Sequence, residues 1–527
     1  MKEKKINIIG AGLAGLSAAL TLAKQGICSR LISVQQSERA QSNLAEGGIN
    51  AVLDVMGEAD TIEEHIADTM RGGCDLADPV MVRGLAEAAP GLIGKLERLG
   101  VPFHRENGHI VQRNFGGQKK KRTAYAKSST GKVLTAALID AVRKVEAEGL
   151  VERFSHHRFE RICFFEASPK ENRTPANRVC AGVQVFDAYA KQSLIFDGPV
   201  IVCCGGMNGM FYGSTTGTTA NTGSAAALLF AQGVAFANLE FLQYHPTTVR
   251  IAGKRMLISE AARGEGGRLF VRRDGAEYYF LEEKYGRQGN LMPRDVLSRE
   301  MARLGEPVYL DLRQLSPAVW EKRLSDLREE ITHYLGIDPA KEPVPVSPGI
   351  HYFMGGIQVD AAHRTGVAGL YAAGECACAY HGANRLGGNS LLGAIYGGRV
   401  AAETAAGELP EDALQPTGAA RTVSVLSLKE KEAETSMEQA LLQGLSVLRT
   451  KEGMGEALSV VLRQNAFSEE LAARLLLAEA FLRSALAREE SRGAHTRLDF
   501  PDTVEAFHKT TVARYDGEKV RIAFEEL

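Results

Sequence analysis

The chain has 527 residues, 45% of them hydrophobic and 24% charged, with a formal net charge of −2. That length suggests about two to four domains of roughly 100–200 residues each, with room for a large core. The composition excludes a disordered chain, the near-neutral charge gives no basis for nucleic-acid binding, and no run of about 18 apolar residues is present to span a membrane.

The 55 glycines are the compositional outlier, roughly 10% against a usual ~7%. They sit at punctuated sites and form no repeat. The cysteines at 28, 74, 163, 180, 203, 204, 376 and 378 form no CxxC pair and no zinc-ribbon spacing. Reduced and mostly buried thiols are expected, with no metal site and no iron–sulfur cluster on this chain. The N-terminal segment lacks a signal peptide's apolar core and cleavage site, so a cytoplasmic or cytosol-facing location is expected.

Lys5-Ile6-Asn7-Ile8-Ile9 reads as a strand running into Gly10-Ala11-Gly12-Leu13-Ala14-Gly15. A helix-period segment closed by Gly26 follows, then a second strand, Ser29 to Val34. This is a βαβ unit with GxGxxG at its first turn, where backbone N–H groups and the helix dipole favour a pyrophosphate. No Asp or Glu ends the second strand to hold a ribose, so Ser33, Gln35 or Gln36 must serve. The motif alone leaves FAD and NAD both open.

Ala45-Glu46-Gly47-Gly48 is a second glycine site. Residues 61–100 read as helical, punctuated by Pro90 and Gly94. Residues 113–131 form a polar loop whose Lys119-Lys120-Lys121-Arg122 run reads as a solvated face or, otherwise, as a phosphate-proximal run. Residues 132–147 read as an amphipathic helix, and strands near 160–165, 180–187 and 193–204 as a meander returning to the nucleotide sheet. Composition changes near 236, and a short apolar strand ending in glycine returns at 368–375. Residues 413–495 read as a helical bundle and 496–527 as a tail with a short strand.

Five segments mix histidine or arginine with glycine and small residues. They are QYHPTT from Gln243, SEAARGEGG from Ser259, PRD from Pro293, IHYFMGG from Ile350 and HGANRLGGNS from His381. Together they favour a site for an anion, because arginine's planar fork suits a carboxylate. No second GxGxxG, no GxSxG elbow and no HExxH motif occurs.

These segments, with FLEEKYGRQGNLMPRDVLSRE, LYAAGEC and GNSLLGAIYGG, resemble the flavoprotein subunit of succinate dehydrogenase and fumarate reductase over nearly the whole chain. RNFGGQKKKRTAYAKSSTG and NTGSAAA resemble the branch of complexes with a diheme anchor. The resemblance implies FAD, with Gly10, Gly12 and Gly15 at the pyrophosphate. It places Ser33, Gly47 and Gly48 at the ribose and flavin edge, Glu375 at ribityl or ribose hydroxyls, and Ser390 and Leu391 at the isoalloxazine. It implies His245, Ser259, His351 and Arg385 on the two carboxylates of a C4 dicarboxylate, fumarate or succinate. It implies Arg294 as proton donor, fed by Glu260 and Arg263. An iron–sulfur subunit and a membrane anchor are the implied partners, with the chain peripheral on the cytoplasmic face.

Two positions depart from the family. Gln41 stands where a histidine usually bonds covalently to FAD, and no histidine precedes His65, so non-covalent FAD is expected. Ser224 stands where many relatives carry Asp. The nearest alternative enzyme is L-aspartate oxidase. That family usually has A-S-N-S-L-L-E after ANRL, where this chain has Gly387-Gly388-Asn389-Ser390-Leu391-Leu392-Gly393. It also usually has RR-x₄-HA-x₃-TG where KKRTAYAKSSTG stands here. A non-catalytic FAD-binding assembly subunit is the alternative of another class.

The expected fold is α/β: a Rossmann-like FAD-binding domain in two parts, 1–235 and 342–412, an inserted α+β capping domain at 236–341, and a C-terminal helical domain with tail at 413–527.

Overall fold

The computed structural model describes residues 4–126, 129–165, 178–410, 416 and 428–527. Lys127 and Ser128 of the polar loop, and the stretches 413–415 and 417–427 of the expected helical region, lie outside the described residues.

The N-terminal βαβ unit consists of the strand Lys5–Ile9, the helix Leu13–Lys24 and the strand Cys28–Ser33. Its strands lie inside a five-stranded parallel sheet in the order Leu370–Ala372, Val200–Val202, Lys5–Ile9, Cys28–Ser33, Val151–Ser155. Ile6, Ile8, Leu31 and Ile201 are fully buried, as strands covered on both faces require. A Cβ on Gly15 would lie 1.9 Å from the Gly10 carbonyl oxygen, so only glycine lets the helix approach the turn this closely. The helix Asn389–Gly407 packs beside Leu13–Lys24, where Ser17 Oγ donates to Ile395 O at 2.7 Å.

The stretch 193–204, expected as one strand, is two. Gln192–Asp197 pairs with Val179–Asp187 in an antiparallel sheet that also holds His157–Phe165. Gly198, at φ +104°, then turns the chain so that Val200–Val202 enters the parallel sheet. The helical stretch 61–100 is two helices, Ile62–Gly72 and Pro79–Arg98. Thr61 and Asp78 cap their N-termini. Pro90 lies inside the second helix and does not end it. Burial of Leu85, Ala89, Leu92, Ile93 and Leu96 on one face outweighs the lost hydrogen bond, a cost of about 3 kcal/mol.

The basic run is not one solvated face. Lys119 and Lys121 are exposed, but Arg122 is fully buried and reaches Asp60 Oδ1 and Asp68 Oδ2 at 2.7 Å each. Two carboxylates compensate its desolvation.

A six-stranded antiparallel sheet runs in the order Lys254–Leu257, Leu242–Ile251, Val344–Phe353, Val308–Asp311, Arg268–Arg273, Ala276–Tyr278. It has its own core, with Leu269, Leu297, Leu310 and Ile331 fully buried under the helices Arg294–Leu304 and Ser325–Leu335. The helices Leu428–Gly444, Lys451–Leu462 and Glu469–Ala487 pack together near the C-terminus. The expected tail is a hairpin, Thr510–Tyr515 with Val520–Glu525, which adds to Phe236–Ala237 in a second five-stranded sheet. Among the described residues, no helix is long and apolar enough to cross a membrane. None of them forms a group of three or more side chains suited to a metal ion.

Candidate active site

A cavity of about 410 Å³ extends from the carboxyl ends of the parallel strands to the strand Leu242–Ile251 and the first turn of the helix Arg294–Leu304. Every site residue expected from the sequence lines it except Gly15, which packs behind the turn, and Arg263, which lies behind Glu260.

At one end Gly10 and Gly12 precede the helix Leu13–Lys24, and Ser33 to Gln36 end the second strand. Ser33 Oγ donates to Gln35 O at 2.7 Å. In the middle, Gly47 and Gly48 face Glu375, Ser390 and Leu391 around the same space. Burial raises the Glu375 carboxyl to about 7, and its Oε1 accepts from Phe353 N at 3.2 Å. Ser390 and Leu391 open the helix Asn389–Gly407, whose N-terminus has no side-chain cap. Its free N–H groups and dipole therefore favour negative charge in the cavity.

The other end is cationic. Arg294 is 7% exposed and begins its helix. A guanidinium there opposes the helix dipole, and the carboxylate of Glu260 offsets this. Arg294 Nε and Nη2 donate to Glu260 Oε2 at 2.9 and 2.6 Å. Gly116 N donates to Glu260 Oε1 at 2.8 Å, and Arg263 Nη2 lies 3.6 Å from the same oxygen. Burial would raise the Glu260 carboxyl, but Arg294 and then Arg263 overcome it and hold it at about 2.

Gln243 joins the two arginines that face the cavity. Its Oε1 accepts from Arg294 Nη1 at 3.0 Å and from Arg385 Nη2 at 2.9 Å. Its Nε2 donates to Asn384 Oδ1 and Arg385 O, both at 2.8 Å. The Arg385 guanidinium lies 4.3 Å over the Tyr352 ring, and its buried Nε has no hydrogen-bond partner among the described residues. Burial, followed by Arg294, pushes its pKa down. The rings of His245 and His351 lie 5.2 Å apart, and His351 Nδ1 is 2.8 Å from Thr216 Oγ1. Burial, then the neighbouring Arg294, drives both histidines well below their ordinary range, so both are neutral. Ser259 is buried beside them.

A nucleotide-binding turn and an arginine-rich pocket thus share one cavity. A family model described as "FAD binding domain" matches residues 6–391, and one described as "Fumarate reductase flavoprotein C-term" matches residues 463–527. The chain is 35% identical to the succinate dehydrogenase flavoprotein subunit of Bacillus subtilis, over 98% of this chain and 94% of that protein. The chain belongs to the succinate dehydrogenase and fumarate reductase flavoprotein family. It is 34% identical to the L-aspartate oxidase of Mesorhizobium japonicum, over 94% of this chain and 91% of that protein. A chain of Escherichia coli quinol fumarate reductase superposes with a TM-score of 0.86 at 29% identity, covering 99% of this chain and 96% of that one.

Members of this family are FAD-dependent oxidoreductases, and the cavity fits FAD. Its turn, middle and helix start are lined by Gly10, Gly12, Gly47, Gly48 and Gly388, which present backbone rather than side chains to a ligand. When bound, FAD supplies two-electron hydride chemistry.

Sequence reasoning missed Gln243, although it stands two residues before His245 on the same strand and so on the same face. It also missed Asn384, which bridges Gln243 to Asp295 through Nδ2 and Oδ1 at 2.9 Å. Nothing in the local sequence pairs Asn384 with either residue.

Proposed function

We propose that this chain reduces fumarate to succinate in a complex, holding FAD without a covalent bond. The observation that carries this reading is the far end of the cavity. There Arg294 and Arg385 face a space with neutral His245 and His351, and among the described residues Glu260 is the carboxylate that pairs with Arg294. Such a site suits a dianion.

His245, Ser259, His351 and Arg385 would bind the two carboxylates of the substrate, and the unpartnered Nε of Arg385 is a ready donor. Hydride addition to one alkene carbon leaves the other needing a proton. Arg294 donates that proton from its guanidinium, and the Glu260 carboxylate relays a replacement to it from Arg263, which draws its own from solvent. Arginine has an ordinary pKa above ~12, so it gives up a proton only to a strongly basic carbanion. Glu260 sits between Arg294 and Arg263, as the middle of a proton path would.

Gln41 lines the cavity, and its Oε1 accepts from Thr218 N at 2.5 Å. An amide offers no nucleophilic nitrogen to the flavin 8α-methyl group. Without that linkage the flavin potential is lower, which favours fumarate reduction over succinate oxidation. The relatives named above as subunits support a separate iron–sulfur partner as the source of electrons, with a membrane anchor holding the assembly on the cytoplasmic face.

Anaerobic photoreduction followed by mixing with fumarate tests the activity. Flavin reoxidation within about a second, with succinate formed, is expected. No reoxidation of a fully FAD-loaded protein would refute it. The identity to an L-aspartate oxidase favours one competing reading, and bleaching of the oxidised flavin by L-aspartate would establish it. Flavin that stays with the polypeptide after acid precipitation would refute non-covalent binding.

A further inference from the structure

We propose that Glu470, near the start of the C-terminal helix Glu469–Ala487, belongs to the FAD site and accepts hydrogen bonds from the adenosine of the cofactor. In dinucleotide folds an acid at the end of the second strand takes a ribose hydroxyl. Here that strand ends at Ser33, and Val34, Gln35 and Gln36 follow it, with no acid among the four.

The structure brings a carboxylate to that end of the cavity from far along the chain. Ser33 is paired in register with Ser155 on the neighbouring strand. The chain then turns at His156, and His157 and Arg158, which open the next strand, both line the cavity. Arg158 Nη1 lies 3.1 Å from Glu470 Oε2, and Glu470 itself lines the same space. Ser224 Oγ donates to Glu470 Oε1 at 2.5 Å. These contacts fix the carboxylate in place without exhausting it, since two oxygens offer about four acceptor sites. The side chain remains about one-third exposed, at 33%. The helix does not need it as a cap, because Ser468 Oγ already accepts from Leu471 N at 3.3 Å.

Glu470 therefore supplies the acid that the second strand lacks. It also makes the C-terminal helix part of the cofactor site, so occupancy by FAD ties that helix to the nucleotide domain.

The inference rests on FAD occupying this cavity, and the test separates the two. Apo-protein is titrated with FAD and with FMN, which shares the flavin but has no adenosine. Failure of the wild type to bind FAD would overturn the occupancy itself. With wild-type binding established, Glu470→Gln should weaken FAD about 10- to 100-fold, the value of a hydrogen bond to a charged group, and leave FMN affinity unchanged. Glu470→Asp, a milder change, should give an intermediate loss for FAD alone. Unchanged FAD affinity in these variants, or equal weakening of FAD and FMN, would overturn the role of Glu470.

Discussion

Gln243 shows how much of this site depends on one neutral side chain. Its single carbonyl oxygen accepts from two buried guanidiniums that would otherwise repel each other. Gln243→Leu removes that acceptor and leaves both cations under-partnered, so Arg294 and Arg385 should move apart. A displacement of about 1 Å at such a site costs on the order of 100-fold in rate. Steady-state fumarate reduction with an artificial donor should show that loss with FAD content intact; a change below about threefold would mean that Gln243 does not set the geometry. A second expectation concerns pH. His245 and His351 are held well below their ordinary range by burial and by Arg294, so both stay neutral at and above neutral pH. With Glu375, whose carboxyl lies at about 7, replaced by Gln, the kcat/KM profile, which reports the free enzyme, should therefore show no ionisation near 6.5. A tenfold change per pH unit centred there in that variant would show that a histidine titrates. The site was legible at this scale where the residues recur in dense local motifs, as around His245 and Arg385. It was illegible where one residue works through a distant one: Gln243 and Asp295, which Asn384 bridges, lie well before it in the chain.

At the scale of elements, the turns that present backbone to the cofactor were the easiest to read, because glycine there answers a local demand. Gly10 and Gly12 are of that kind. Gly388 is constrained by its neighbour as well. It adopts φ +82° at the start of the helix Asn389–Gly407, and a Cβ would lie 2.1 Å from Asn50 Oδ1. Asn50 also donates to Asn389 Oδ1 at 2.7 Å and accepts from Thr123 Oγ1 at 2.6 Å. Gly388→Ala therefore strains the backbone and displaces a buried hydrogen-bonded side chain, each worth about 1–3 kcal/mol. Thermal unfolding should report a loss of about 2–6 kcal/mol together with weaker FAD binding; a variant as stable as the wild type would show that the turn yields freely. That the helix continues through Pro90, and that the short strand of the tail is half of a hairpin at Thr510–Glu525, were not legible from local signals. In both, tertiary burial decides the outcome: an apolar helix face overrides a proline, and a two-residue strand, Phe236–Ala237, waits for a partner from the other end of the chain.

For the whole molecule, the question is what holds the C-terminal region to the strand that carries the active site. The answer lies in a buried charge network. Arg488 and Glu240 are both fully buried. Arg488 Nε donates to Glu240 Oε1 at 2.6 Å. Its Nη1 donates to Glu490 Oε1 at 2.9 Å and Phe507 O at 2.7 Å. Its Nη2 donates to Lys509 O at 2.8 Å and Thr511 Oγ1 at 2.7 Å. All five guanidinium N–H groups thus have acceptors, and Glu240 stands three residues before Gln243. Arg488→Met leaves two buried carboxylates without their shared partner, a loss of about 3–5 kcal/mol. Arg488→Lys keeps the charge but brings three donors to five acceptors, so it should fall between the two. Urea unfolding of the FAD-loaded proteins would rank them. A loss below about 1 kcal/mol for Arg488→Met would mean that packing, not this network, joins the C-terminal region to the strand Leu242–Ile251. The expected order also separates charge from shape: if the lysine variant were no better than methionine, the planar fork itself would be what holds the strand Leu242–Ile251 in place.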